Sequence, residues 1–229
     1  MLFRSRRVLT EDEAAAVASR VRGSAVLGDL ADADLVVEAV FEDVAIKRDL
    51  FRRLDEVCRV DAILATNTSS FSVSELASAT RRPERVIGLH YFYHPAKNRL
   101  VEVVPGAASH PAVTTRAWRI QEAMGKTPIA SADAFGFIVN RFFGPWLTHA
   151  IRLIEEGVAD IPTVEQAAKH AFGIGMGPFE LMNVTGVPIA LHASGTLGRA
   201  FGPLYEPPAL LRTQVESGRL WDLTGEPDA

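Results

Sequence analysis

A serine in Asn67-Thr68-Ser69-Ser70, a histidine in Gly88-Leu89-His90 and a glutamate in Leu100-Val101-Glu102-Val103 crowd one short stretch of this chain. Imidazole takes up and releases protons near neutral pH, and a carboxylate beside it orients the ring and stabilises its charged form. A nearby hydroxyl completes a set suited to moving a proton on or off a substrate oxygen. The elements that must position these groups are also visible. Two apolar segments, Ala62-Ile63-Leu64-Ala65 and Arg85-Val86-Ile87-Gly88-Leu89, run directly into the serine loop and the histidine. Short apolar runs ending in polar residues read as buried parallel strands. Their carboxyl ends open into the crevice where such sheets bind ligands.

Around this stretch the pattern alternates between strands and helices, then turns wholly helical. Asp34 to Val40 reads as a buried strand, and Glu42 to Cys58 as an amphipathic helix with Val44, Leu50, Phe51, Leu54 and Val57 on one face. Ala62–Thr66, Val86–Phe92, Arg99–Val104 and the segment ending at Ala130 read as further strands. Thr10–Val21, Ser72–Ala79 and Pro111–Met124 read as helices, the second opened by a capping pattern of Ser72 and Glu75. Beyond Asp133 the helices Phe137–Glu156, Thr163–Phe172, Pro178–Leu197 and Pro208–Ser217 follow. Alternation followed by helices predicts an α/β domain, residues 1–133, and a helical domain, residues 134–229.

Bulk properties narrow the function classes. With 229 residues the chain can bury a real core. Its net charge of −4 and lack of a Lys/Arg block give no reason to expect nucleic acid. Arg4, Arg6 and Arg7 are followed by Glu11, Asp12 and Glu13 rather than an apolar stretch, so no signal peptide is expected. No apolar run approaches the ~20 residues of a membrane helix. The single cysteine, Cys58, excludes an internal disulfide and fits a reducing, cytoplasmic setting, with packing at a helix end as its role.

Six blocks in order carry a family resemblance: Asp34-Leu35-Val36-Val37-Glu38-Ala39-Val40-Phe41-Glu42-Asp43, the Asn67–Ser70 loop, Gly88-Leu89-His90, Leu100–Val103, Gly136-Phe137-Ile138-Val139-Asn140-Arg141 and Met176-Gly177-Pro178-Phe179-Glu180-Leu181. Together they resemble the L-3-hydroxyacyl-CoA dehydrogenase family to about Val187. The resemblance implies a Rossmann-like parallel sheet, NAD as cofactor, an acyl-CoA thioester as substrate and a homodimer formed through the helical domain. It makes His90 the base for the substrate's 3-hydroxyl and Glu102 its orienting partner, in fatty-acid or hydroxybutyrate metabolism. Ser69 and Asn140 would bond the substrate oxygen, and Glu42, Lys47, Asn67 and Ser69 would contact the cofactor. A Glu at a helix start followed by an exposed Lys is also ordinary helix chemistry. Tyr93 stands where common members carry an asparagine cofactor contact, and His94 reads as a loop histidine. No metal ligand set is expected.

The chain departs from that pattern at its start. A dinucleotide fold opens with a strand and a G-x-G-x-x-G turn, yet no Gly precedes Gly23. Against the family, the chain is expected to begin inside the helical segment that follows the first βαβ unit, so that at least the ~30 residues of such a unit are missing from the pattern. The expected sheet is therefore truncated, with Leu35–Val40 as an apolar edge prone to association or completion by another polypeptide. Gly173, Gly175 and Gly177 are no substitute, because no strand leads into them and Pro178 suits a following helix start. Trp221–Gly225 lacks the family's Lys-bearing ending. Two readings stay open: a working dehydrogenase, or a cofactor-deficient protein that binds acyl-CoA or a partner without turnover.

Overall fold

The computed structural model describes residues 9–225. The basic residues Arg4, Arg6 and Arg7 lie outside them. Five strands, β1 (Leu35–Glu38), β2 (Ile63–Thr66), β3 (Val86–Tyr91), β4 (Leu100–Pro105) and β5 (Thr127–Ala130), form one sheet in the order 1-2-3-4-5. Helix α1 (Glu11–Ala18) precedes them, and α2 (Val44–Val57), α3 (Val73–Ala77) and α4 (Pro111–Ala123) lie between them. This is the expected Rossmann-like α/β arrangement, with one departure. Strands β1, β2 and β3 are parallel and β4 is parallel to β5, but β3 and β4 run antiparallel. The reason is the connection, residues 92–99, which is shorter than the roughly dozen residues a parallel crossover needs.

Period-two alternation assigns each strand residue to a face. Leu64, Val86 and Val104 point to the side covered by Phe51 and Leu54 of α2 and Val73 and Leu76 of α3. Ile63, Ala65, Ile87, Leu89, Val101 and Val103 point to the other, under Val113 and Ala117 of α4. Each fully buried Phe or Leu side chain contributes about 1.5–3 kcal/mol, so these faces hold the sheet domain together. Cys58 ends α2 and is buried in the first cluster, the packing role expected of it. Gly88 lets α3 lie close to β3. A Cβ there would meet both Val104 Cβ and Val73 Cγ2 at 2.9 Å.

The helical part comprises α5 (Val139–Glu155), α6 (Ile161–Phe172), α7 (Pro178–Thr185), α8 (Val187–Phe201) and α9 (Ala209–Ser217), around Ile151, Phe179, Met182, Leu211 and Trp221. The single helix expected from Pro178 to Leu197 is two. Gly186 divides them with a φ of 110°, and Pro188 at the start of α8 has no N–H with which to continue α7. The two parts meet at Asp133, whose carboxylate accepts from the Val73 and Ser74 amides, both at 2.8 Å, and so caps α3. Ser72 caps the same helix through the Glu75 amide at 3.3 Å. Among the described residues β1 pairs only with β2, leaving its other edge open. No helix among them is long and apolar enough to cross a membrane.

Candidate active site

His90 and Glu102 are register partners across the antiparallel β3–β4 pair, so both project to the same face. The carboxylate therefore sits mid-strand, not at a strand tip as parallel strands would have placed it. His90 Nδ1 lies 2.6 Å from Glu102 Oε2, and the two side chains are 7% and 0% exposed. Glu102 is already committed on its other side. Its Oε1 accepts the Ile138 and Val139 amides at 2.8 and 2.9 Å. These belong to the N-terminus of α5, which has no side-chain cap of its own. Amides that would otherwise lack partners thus stabilise the ionised carboxylate. An ionised carboxylate only accepts hydrogen bonds, so Nδ1 carries the proton and Nε2 is the ring nitrogen left to act. Phe92 and Phe137 flank the ring, with centroids at 4.6 and 5.5 Å.

A second assembly forms where β1 and β2 end. The Glu42 Oε1 accepts the Ser69 and Ser70 amides, each at 3.0 Å, together with the Thr68 hydroxyl. Its Oε2 lies 3.0 Å from Lys47 Nζ. Burial pushes the Glu42 carboxyl up, but the Thr68 bond, the Lys47 charge and the Ser69 amide outweigh it and hold it below its ordinary value of 4.5. Lys47 is not the exposed lysine of an ordinary helix; it is buried and also pairs with Glu38 Oε1 at 2.6 Å. Asn67 Oδ1 accepts the Tyr91 amide at 2.8 Å, fastening the serine loop to the strand that carries His90. Ser69 is half-buried, and among the described residues its hydroxyl has no partner.

The expected residues therefore form two contact sets, with Asn140 and Tyr93 outside both. His90 and Glu102 form one contact set with the start of α5; Glu42, Lys47, Asn67 and Ser69 form another. Asn140, in the first turn of α5, is close in sequence to the amides that hold Glu102 and lines a cavity of about 60 Å³ with Ser194 and Leu197 of α8. Tyr93 stands apart, 53% exposed in the loop after β3, with its ring centroid 5.7 Å from that of His94. Glu38, Thr68, Asp133 and the Ile138 and Val139 amides were not anticipated. A glutamate inside the apolar run Leu35–Val40 was the available sign for the first of them.

For the cofactor, the ends of β1 and β2 offer the Ser69 hydroxyl, which has no partner among the described residues and could bond a polar group of a dinucleotide. For the pyrophosphate, no strand among the described residues leads into a glycine-rich turn.

Comparison with known proteins agrees with this fold. Residues 2–134 match the family model for the 3-hydroxyacyl-CoA dehydrogenase NAD binding domain, and residues 136–227 match that for its C-terminal domain. A 3-hydroxybutyryl-CoA dehydrogenase from Clostridioides difficile is 36% identical over 207 residues, 90% of this chain and 74% of the relative. One from Mycobacterium tuberculosis is 38% identical over 202 residues, covering 87% and 71%. The crystal structure of M. tuberculosis FadB2 superposes with a TM-score of 0.92 at 35% identity, covering 98% of this chain and 80% of that one. The (S)-3-hydroxybutyryl-CoA dehydrogenase PaaH1 from Ralstonia eutropha gives 0.87 at 30% identity, covering 97% and 79%. This chain belongs to the 3-hydroxyacyl-CoA dehydrogenase family, whose cofactor is NAD.

Proposed function

We propose that the protein oxidises L-3-hydroxyacyl-CoA thioesters to 3-ketoacyl-CoA, with His90 as the general base. The observation that carries this reading is the His90–Glu102 contact of 2.6 Å with the second carboxylate oxygen held by two α5 amides. It leaves Nε2 free to accept the 3-hydroxyl proton while Glu102 stabilises the resulting imidazolium. NAD, when bound, supplies the acceptor for the hydride leaving C3. Ser69 and Asn140 bond the substrate oxygen, while Glu42, Lys47, Asn67 and Tyr93 border the cofactor side. The four-carbon substrate in the relatives' names supports a short acyl chain, and the (S) in the R. eutropha title supports the L configuration. Exposed Phe142, Ile189 and Leu204 on the helical part support a homodimer. The single cysteine supports a cytoplasmic setting.

The test is NADH oxidation with acetoacetyl-CoA by the wild type and by His90→Gln. Turnover that falls at least a hundredfold in the variant supports the base; equal turnover in both overturns it. A second reading, acyl-CoA binding without turnover, makes the opposite prediction for the wild type. Retained acetoacetyl-CoA binding with no wild-type turnover would establish that alternative.

A further inference from the structure

We propose that Phe137 is a positioning residue: its ring anchors the start of α5 in the sheet domain beside His90, and its left-handed backbone turns the next two amides onto Glu102. The role given to His90 is that of the dehydrogenase reading; the contacts themselves stand without it.

Phe137 has a φ of 45°, the only positive value at a non-glycine residue among the described ones. A residue with a Cβ rarely takes this conformation, because the Cβ crowds the neighbouring carbonyl. Strain of this kind persists only where the surroundings impose it, and here they do. On one side Asp133 is fastened to α3 through the Val73 and Ser74 amides. On the other, Glu102 Oε1 holds the Ile138 and Val139 amides at 2.8 and 2.9 Å. Between these clamps the Phe137 amide closes a turn onto the Ala134 carbonyl at 3.0 Å. Gly136, with a φ of 73°, takes the first left-handed step freely, and a Cβ on it would stand 2.6 Å from Leu197 Cδ2 of α8. Phe137 takes the second step at a cost that a glycine would not incur.

Burial of the ring offsets that cost. Although Phe137 leads into the helical part, it is 4% exposed and belongs to the apolar cluster of the sheet domain, with Val36, Leu64, Val73 and Leu76. Its ring centroid lies 5.5 Å from that of His90. The ring is thus a wedge set from the helical part into the sheet domain beside the histidine. Apolar burial has no direction of its own, but the backbone attached to the wedge does. With the ring seated, the two following N–H groups meet one carboxylate oxygen and leave Oε2 to His90 Nδ1 at 2.6 Å. Asn140, the next residue in the first turn of α5, is carried by the same anchor.

The test separates the ring from the backbone. Phe137→Gly relieves the left-handed strain and removes the wedge, whereas Phe137→Leu keeps most of the apolar bulk. Nuclear magnetic resonance at pH 7, with neither cofactor nor substrate, follows the His90 Nδ1 proton and the Ile138 and Val139 amides. All three should be protected from exchange in the wild type and in Phe137→Leu. In Phe137→Gly, held below its melting transition, the Nδ1 proton should be lost to exchange and the two amides should exchange about tenfold faster. Acetoacetyl-CoA reduction should fall about 10²-fold in Phe137→Gly, the scale of a small misplacement of reacting groups. In Phe137→Leu it should stay within about threefold of wild type, as for a tolerated core exchange. Protected protons in Phe137→Gly would overturn the proposal, and so would a Phe137→Leu protein as impaired as Phe137→Gly.

A measurement on the unaltered protein guards against a variant that does not fold. Magnetisation should pass between the ring protons of Phe137 and those of His90, and its absence overturns the wedge. A wild type without turnover would count against the dehydrogenase reading and leave the proton measurements to decide the role of Phe137.

Discussion

Glu102 divides its two carboxylate oxygens between His90 in the sheet and the first amides of α5 in the helical part. Glu102→Gln separates these tasks. The α5 amides can only donate, so the new side chain must turn its carbonyl to them and its NH2 to the ring. Nδ1 then has to accept, which moves the ring proton to Nε2 and removes the base. Acetoacetyl-CoA reduction should fall about 10²–10⁴-fold, with thermal stability little changed. Glu102→Ala should add a loss of about 1–3 kcal/mol by leaving two part-buried amides unpartnered. Equal melting temperatures for the two variants would show that the α5 contact carries no weight.

Gly88 predicts a cost of close approach. Its missing Cβ is the space into which Val73 of α3 and Val104 of β4 pack at 2.9 Å. The Val104 atom is fixed to a central strand and cannot give way cheaply. Gly88→Ala should therefore destabilise the protein by about 1–3 kcal/mol. At roughly 2–4 °C per kcal/mol for a domain of this size, the melting temperature should drop measurably. An unchanged midpoint would mean that α3 shifts freely, and with it the Asp133 clasp on its first turn.

These relationships show what residue order alone can reveal. The apolar runs ending at Asn67 and His90 predict strands, and β2 and β3 are those strands. The direction of β4 was missed because an apolar run carries no polarity, although the short connection over residues 92–99 was a usable sign. Gly186-Val187-Pro188 carried the break between α7 and α8 in the same way. Burial of Lys47 was beyond periodicity. A helix-start lysine is ordinarily exposed, and here Glu38 on the preceding strand draws it inward, together with Glu42 and the Val40 carbonyl. Asp133 reads as a linker residue until the fold brings α3 to it. Side chains acting on distant backbone amides leave no period in the sequence.

Asp55 makes the stability of α2 dependent on pH. Its side chain is 3% exposed and meets Arg81 Nε at 3.1 Å and Arg82 Nε at 2.6 Å. Burial pushes this carboxyl up, but the bonds to Arg82 and Arg81 prevail and hold it below its ordinary value of 3.8. A depressed folded value means that the ionised form favours folding. The contribution is full above the ordinary value and disappears as pH falls through the folded one. Asp55→Asn should thus lose about 2 kcal/mol at pH 7, the scale of hydrogen bonds to a charged group. In urea unfolding, the gap between wild type and variant should narrow as pH drops below 4. A gap that stays constant across that range would dissociate the stability of α2 from ionisation of this carboxyl.

The glycine triplet Gly173, Gly175 and Gly177 has the composition of a phosphate cradle and the contacts of a helix junction. Gly173 ends α6 in the left-handed region, with a φ of 63°. Gly177 precedes α7 and donates its amide to Glu165 Oε1 at 2.7 Å, while a Cβ on it would stand 2.6 Å from that carboxylate. Glu165 also accepts the Phe179 amide at 3.0 Å, so it caps α7 from α6. An anion occupying this turn would have to displace a buried carboxylate already bonded to the same amides. Gly175 has open space around its missing Cβ. Gly175→Ala should leave stability within about 0.5 kcal/mol of wild type and acetoacetyl-CoA reduction unchanged. Gly177→Ala should cost about 1–3 kcal/mol by displacing Glu165, again without raising the KM for NADH. A KM that climbs in either variant at unchanged stability would place cofactor at this turn and contradict its role as a helix junction.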